Sequence, residues 1–316
     1  MILNKVEQVA LAADQFVVNG RSYTDSPITA DTVIDERISR LHDEFIKGSP
    51  GIDRNTALQI ADEFFVLSKW NLYKTVYRFE QPFFDVLIDT EDAPFYQESI
   101  KNLPVNCFFV ACPQPGLIGF FTYVETKESE TFFYVISVDD VRGTSMHSAG
   151  DSMWIANGQK IGDALTAWMQ TINGEHGYEE FFERAKENMK AAVQVAYYLS
   201  AQNAVTTEIR TPKSKRPKRA NGTPLNLRQW AVGYRIGIDY NSKSPSSVYG
   251  NDDVTEVADC REDRGNSPRP HLRKAHWHHY WVGEGRNKLV LKWLEPIWVN
   301  GNPDDIIATE HRVLKA

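Results

Sequence analysis

Four histidines, His271, His276, His278 and His279, fall within nine residues of a chain that has eight in all. They sit in RPHLRKAHWHHYWVGEG, residues 269–285, among Trp277, Tyr280, Trp281 and the cations Arg269, Arg273 and Lys274. Three chemistries compete for such a set. Imidazoles at i and i+2 of a strand share a face and can share a metal, which makes His271, His276 and His278 one reading. No acidic or thiol ligand completes that set at a convincing spacing, Asp259 and Cys260 being the nearest upstream, so neither a metal nor a cofactor is expected. Metal-independent RNA cleavage needs a base, an acid and a cation near the phosphate, and His276, His278 and Arg273 supply those types. A recognition surface is the third reading. Arg269, His271, Arg273, Lys274 and His276 would meet phosphates or a partner, while Trp277, His278 and Tyr280 stack on bases or grip a peptide. Beside these stands a structural role, with Trp277 and Trp281 in a core and the histidines bonded to the backbone.

A second cationic stretch, IRTPKSKRPKRANGTP, carries six basic residues between Arg210 and Arg219. Lys215, Arg216, Lys218 and Arg219 are candidates for contact with nucleic acid or a ribosomal surface. A solvated linker has the same composition. Other chemistry finds no motif: there is no GxxxxGK[ST], no GxGxxG after a strand, no HExxH and no GxSxG. His42, His147 and His176 are isolated in sequence.

The elements that must position these residues are readable from periodicity. Residues 1–30 are weakly patterned. Asp31–Ile46 and a stretch opened by Asp53 carry helical stripes and read as an antiparallel pair joined by KGSPGID. VNCFFVACP, GLIGFFTYVET and TFFYVISVDD are β-rich and separated by short turns, which predicts an antiparallel meander. VLIDTED reads as a strand or a helix end. Helices return over Gln159–Met169 and Tyr178–Leu199. After the basic stretch, WAVGYRIGIDY reads as a strand, and the histidine cluster as one arm of a hairpin whose partner is KLVLKWLEPIWVN. As a single strand, the cluster would turn His276, His278 and Tyr280 to a wet face and Trp277, His279 and Trp281 to a buried one. The predicted fold class is α+β: a helical and antiparallel-sheet body over residues 1–206, a basic linker over 207–224, and a smaller β-rich module over 225–316.

Composition sets the frame. With 42% hydrophobic and 12% aromatic residues, the 316-residue chain can bury a sizeable core. No membrane span and no secretory signal are visible, and Cys107, Cys112 and Cys260 show no CxxC spacing, so a reducing, cytoplasmic setting is expected. The net charge of −7 is uneven. Residues 201–316 hold 19 Lys/Arg and 13 Asp/Glu, against 16 and 29 in the first 200. Acidic partners such as phosphates are therefore expected at the C-terminal end.

The residues of RPHLRKAHWHHYWVGEGRNKLVLKWLEPIWVN also carry a family pattern. Pro270, His271, Arg273, Lys274, His276, Trp277, Gly283, Gly285, Trp293, Val299 and Asn300 match a Pro-His-x-Arg-basic-Gly-His-Trp signature with a Gly-rich turn and a Trp-bearing strand. The sequence thereby resembles the second type V-A anti-CRISPR family and its phage- and plasmid-borne relatives. Ala275 stands where that pattern usually has glycine. NLPVNCFFVACP with LIGFFTYVE, the Gly158-Gln159 helix entry and YRIG follow in the same order, so the likeness covers most of the chain. It implies a protein that lowers production of the type V-A CRISPR effector. Such a protein recognises the start of a nascent polypeptide, that of the effector or of another target, and causes loss of the message being translated. The nascent polypeptide would be its partner, with ribosome and mRNA as further ones. A metal-independent RNase and a nucleic-acid-binding module without catalysis remain the rival expectations.

Overall fold

The β-rich runs after Pro104 form the middle of a seven-stranded sheet. In the computed structural model the described residues are 5–22, 54–111, 117–139, 148–172, 179–233 and 271–299. Among them the helices are α1 (Lys5–Ser22), α2 (Arg54–Tyr73), α3 (Gln81–Ile88), α4 (Gln97–Ile100), α5 (Ile161–Ile172) and α6 (Glu179–Ser200). Sheet strands are β1 (Thr75–Phe79), β2 (Cys107–Ala111), β3 (Leu117–Lys127), β4 (Glu130–Asp139), β5 (Ser148–Ala156), β6 (Thr206–Ile209) and β7 (Arg228–Val232). Their order is β5-β4-β3-β2-β1-β7-β6. The protein is α+β. The predicted meander, β2-β3-β4, is antiparallel and gains β5 as a fourth strand. Beside it, β1 pairs parallel with both β2 and β7, so the sheet is mixed.

Helices cover both faces of the sheet, which explains why its central strands are near-continuous apolar runs rather than alternating ones. Phe108, Val110, Phe120, Phe133 and Val135 face a core built with α3, α5 and α6. Cys107, Phe109, Phe121, Tyr123, Ile136 and Val138 face the opposite way, toward α1 and α2. Helix α1 arises where the sequence looked weakly patterned. Its buried stripe is Val6, Val9, Ala10 and Ala13, at helical spacing but of small side chains. VLIDTED proves to be the end of α3, while the predicted helix over Asp31–Ile46 and the residues of KGSPGID lie outside the described residues.

The chain on both sides of the basic stretch enters one sheet, through β6 before it and β7 after it. Among the described residues four further strands follow: β8 (His271–Arg273), β9 (His276–Val282), β10 (Lys288–Leu294) and β11 (Ile297–Val299). The histidine cluster is thus two strands rather than one, broken at Lys274-Ala275. The carbonyl of Ala275 there accepts a bond from the Glu91 amide, 2.9 Å, and backbone committed to the 89–91 segment cannot continue the ladder. Strands β9 and β10 form the predicted antiparallel hairpin, and β8 pairs with β11 in a second ladder. No helix among the described residues is long and apolar enough to cross a membrane.

Candidate functional site

The hairpin has an inner and an outer face, and its register assigns every residue to one of them. Trp277–Trp293, His279–Leu291 and Trp281–Leu289 pair on the inner face. His276–Leu294, His278–Lys292, Tyr280–Val290 and Val282–Lys288 pair on the outer one.

The inner face docks onto the C-terminal half of α6. Trp277 packs edge-on to Tyr197, and its indole Nε1 donates to Gln194 Oε1 at 2.8 Å, both side chains being buried. Trp293 packs edge-on to Phe83 and Tyr198 and donates through Nε1 to Thr90 Oγ1 at 3.0 Å. Asn203 clamps the backbone of Trp293, donating to its carbonyl at 2.7 Å and accepting from its amide at 3.0 Å. Ala275 is buried in the same core. It is not among the residues with positive φ, so the alanine in place of the family's glycine carries no backbone strain.

His279 is half-buried against this interface. Its Nε2 lies 3.1 Å from the Tyr197 hydroxyl, which also accepts from the Tyr96 amide at 2.8 Å. The same hydroxyl also lies 3.4 Å from the Pro94 carbonyl, to which it can donate. Burial, with a smaller push from His278, lowers the His279 pKa from 6.5 to about 4. Desolvation raises the Tyr197 pKa above the usual range. This histidine is a neutral structural partner of a tyrosine. Trp281 shares its face, but the strand outruns the body there and leaves the indole 59% exposed. The expectation of a wholly buried tryptophan face therefore fails at its far end.

The outer face collects the polar candidates. Arg273 Nη2 lies 3.1 Å from His276 Nε2, and His276 Nδ1 lies 3.3 Å from the Lys274 carbonyl. In this arrangement Nε2 accepts and Nδ1 donates, so both imidazole nitrogens are engaged. The His278 ring stacks on Tyr280 with centroids 4.1 Å apart, and the Lys292 ammonium lies 5.5 Å from the Tyr280 ring centre. Lys274 reaches an exposed pair with Asp89 at 2.9 Å. His271 contributes backbone to β8, paired with Val299. Arg269 and Cys260 lie outside the described residues. Among the described residues, no group of three His, Cys, Asp or Glu side chains could hold a metal ion. Chemically, the outer face offers a ring stack flanked by cations.

The basic stretch is divided in its roles. Lys213, Lys215 and Lys218 are exposed. Arg216 donates to the Thr211 carbonyl and to Asn226 Oδ1 at 2.6 Å. Arg219 grips the buried carboxylate of Asp14 on α1 with two bonds, 2.6 and 2.9 Å. Next to this stretch the edge strand β6 is exposed and, among the described residues, pairs on one side only. A cavity of about 330 Å³ opens beside it, lined by Glu208, Ile209, Arg210, Thr211, Arg216, Leu227 and Gln229. Sequence reasoning marked Arg216 but none of the other lining residues, because their meeting depends on pairing across the sheet.

The AcrVA2-like family model, described as the anti-CRISPR type V subtype A2 family, matches residues 77–301. This chain belongs to that family. The match runs from within β1 past the end of β11, so it spans the sheet and the whole signature hairpin. No curated protein matches the chain. Among solved structures the chain is similar to one titled "Crystal structure of AcrVA2", at 16% identity and a TM-score of 0.47, covering 93% of this chain and 97% of that one.

Proposed function

We propose that this anti-CRISPR family member acts on the production of a type V-A CRISPR effector, by recognising the first residues of the nascent effector polypeptide and triggering loss of the message being translated. Family membership supports the anti-CRISPR role. The observation that carries the peptide reading is the edge of β6. A nascent chain leaving the ribosome is extended, and an extended peptide is most simply captured by adding a strand to an open sheet edge. Among the described residues strand β6 offers such an edge, with side chains exposed and a cavity beside it to receive a side chain of the peptide. With Arg210 paired to Glu208 at 3.1 Å, Arg216 in the cavity wall leaves the lining net positive and favours an acidic residue in that peptide.

The test uses stalled ribosomes displaying the effector's first residues. The full-length protein is expected to retain these complexes and to release ribosomes bearing a scrambled leader. In a translating extract the matching message is expected to shorten its half-life while the scrambled one does not. Equal recovery of the two leaders would sink the proposal.

A further inference from the structure

We infer that the outer face of the β9–β10 hairpin is a binding platform for single-stranded nucleic acid. The inference goes beyond peptide capture, since it concerns a different surface and stands without that reading.

Period-two geometry puts His276, His278 and Tyr280 in one row along β9, with Lys292 and Lys288 opposite His278 and Val282 on β10. The row is anchored at its His276–His278 end, because the other face is held there by Trp277, Trp293 and the Asn203 clamp. A ring pair held this way needs little ordering when a ligand arrives. His278 and Tyr280 already stack on each other, and both are exposed, Tyr280 at 37%. A base added to that stack continues a column of flat rings, and every base has a face that can do so. The Lys292 ammonium lies over the tyrosine ring, 5.5 Å from its centre, and the Arg273 guanidinium beside His276; these are the cations nearest the column, and they would turn to the phosphates of a bound strand. Across the described residues 271–299 the cations Arg273, Lys274, Arg286, Lys288 and Lys292 outnumber the anions Glu284 and Glu295. That balance contrasts with the acidic body and selects a polyanion.

A duplex fits less well. Its base faces are covered by their neighbours, and a two-stranded ribbon with exposed rings gains little from phosphates alone. An acidic peptide would satisfy the cations and leave the ring column unused. The stacked rings therefore decide for an unpaired strand.

The experiment measures anisotropy of a fluorescein-labelled twelve-residue oligouridylate titrated with the full chain. A hairpin duplex RNA and an oligothymidylate of equal length serve as further arms. The oligouridylate is expected to bind with a strong salt dependence and more tightly than the duplex. Comparable binding of the oligothymidylate would place the recognition in rings and phosphates, as inferred. Tyr280→Ala is expected to weaken binding about tenfold or more, on the scale of one lost base–aromatic stack. Tyr280→Phe, which keeps the ring, should restore it. Lys292→Ala should lower the slope of log K against log salt by about 0.7. Trp281→Ala, on the opposite face, should change nothing, and far-UV circular dichroism checks that each variant is folded. Absence of binding, duplex binding as tight as the single strand, or affinity untouched by Tyr280→Ala would each overturn the inference. A failed nascent-chain pull-down would not touch it.

Discussion

Trp277 and His279 share the inner face of β9, and perturbing them should give different signatures. Trp277 is buried and satisfies the buried amide of Gln194. Trp277→Phe keeps most of the ring but orphans Gln194 Oε1, and an unsatisfied buried acceptor costs about 1–3 kcal/mol. Urea denaturation should show that loss, and Trp277→Phe combined with Gln194→Leu should recover part of it. His279 gives a pH signature instead. Its pKa falls from 6.5 to about 4 on folding, so between those values the unfolded chain binds a proton that the folded chain does not. Stability therefore rises with pH across this window. The His279 contribution is constant above about 6.5, declines as pH falls toward 4, and levels off below it. His279→Gln, whose amide can donate to or accept from the Tyr197 hydroxyl but does not titrate, should flatten that part of the stability–pH curve. A curve with unchanged slope in the variant would contradict the assignment. The same residues show what their types could not reveal. Composition put four histidines together, whereas the structure separates His279, a neutral partner of Tyr197, from His278, stacked on Tyr280 in the open, and from His276, beside Arg273.

At the scale of elements, the hairpin is positioned by a residue that belongs to neither of its strands. Asn203 follows α6 and bonds both backbone groups of Trp293, in effect acting as an extra rung beside β10. Asn203→Ala leaves an amide and a carbonyl half-buried without partners. The expected cost is about 1–3 kcal/mol, with the loss confined to docking of β9–β10 rather than to the seven-stranded sheet. Hydrogen exchange should therefore quicken across residues 276–294 while β2–β4 stay protected. Uniform quickening would argue against a local clamp. The hairpin itself was legible: alternating residues, a Gly-rich turn and a tryptophan-bearing partner strand are all local signals. Gly283 and Gly285 meet the turn's need for positive φ, at 87° and 72°. What was not legible is non-local. The break at Ala275 follows from a bond to Glu91, and β1 and β7 become parallel neighbours although about 150 residues separate them. Helix α1 was missed for another reason, since Val and Ala at helical spacing give a faint stripe in a window of mixed residues.

For the whole molecule, the uneven charge is more than an advertisement to partners, because the acidic body and the basic C-terminal part also hold each other. Asp14 lies on α1, almost fully buried, and Arg219 comes from the basic stretch some 200 residues later to bond both of its oxygens. Lys74, 3.8 Å from the same carboxylate, adds a second cation. Removing one member of a fully buried pair costs about 3–5 kcal/mol, since the other is left charged in a low-dielectric site. Arg219 keeps 30% of its side chain exposed, and Lys74 remains near Asp14 after its loss, so both screening and compensation reduce that figure. Arg219→Ala is expected to destabilise by about 1–3 kcal/mol, and Asp14→Leu with Arg219→Met should cost less than the two single changes combined. Denaturant titrations of the four proteins read this coupling. Lys215 and Lys218, exposed and with no side-chain bond of this kind among the described residues, should leave stability unchanged when replaced by alanine. That contrast distinguishes two kinds of cation within one run of sequence: Arg219, which closes the fold over α1, and lysines that are exposed at its surface. Additive effects of Asp14→Leu and Arg219→Met would remove the bridge between the two halves and leave their opposite charges as a matter of composition alone.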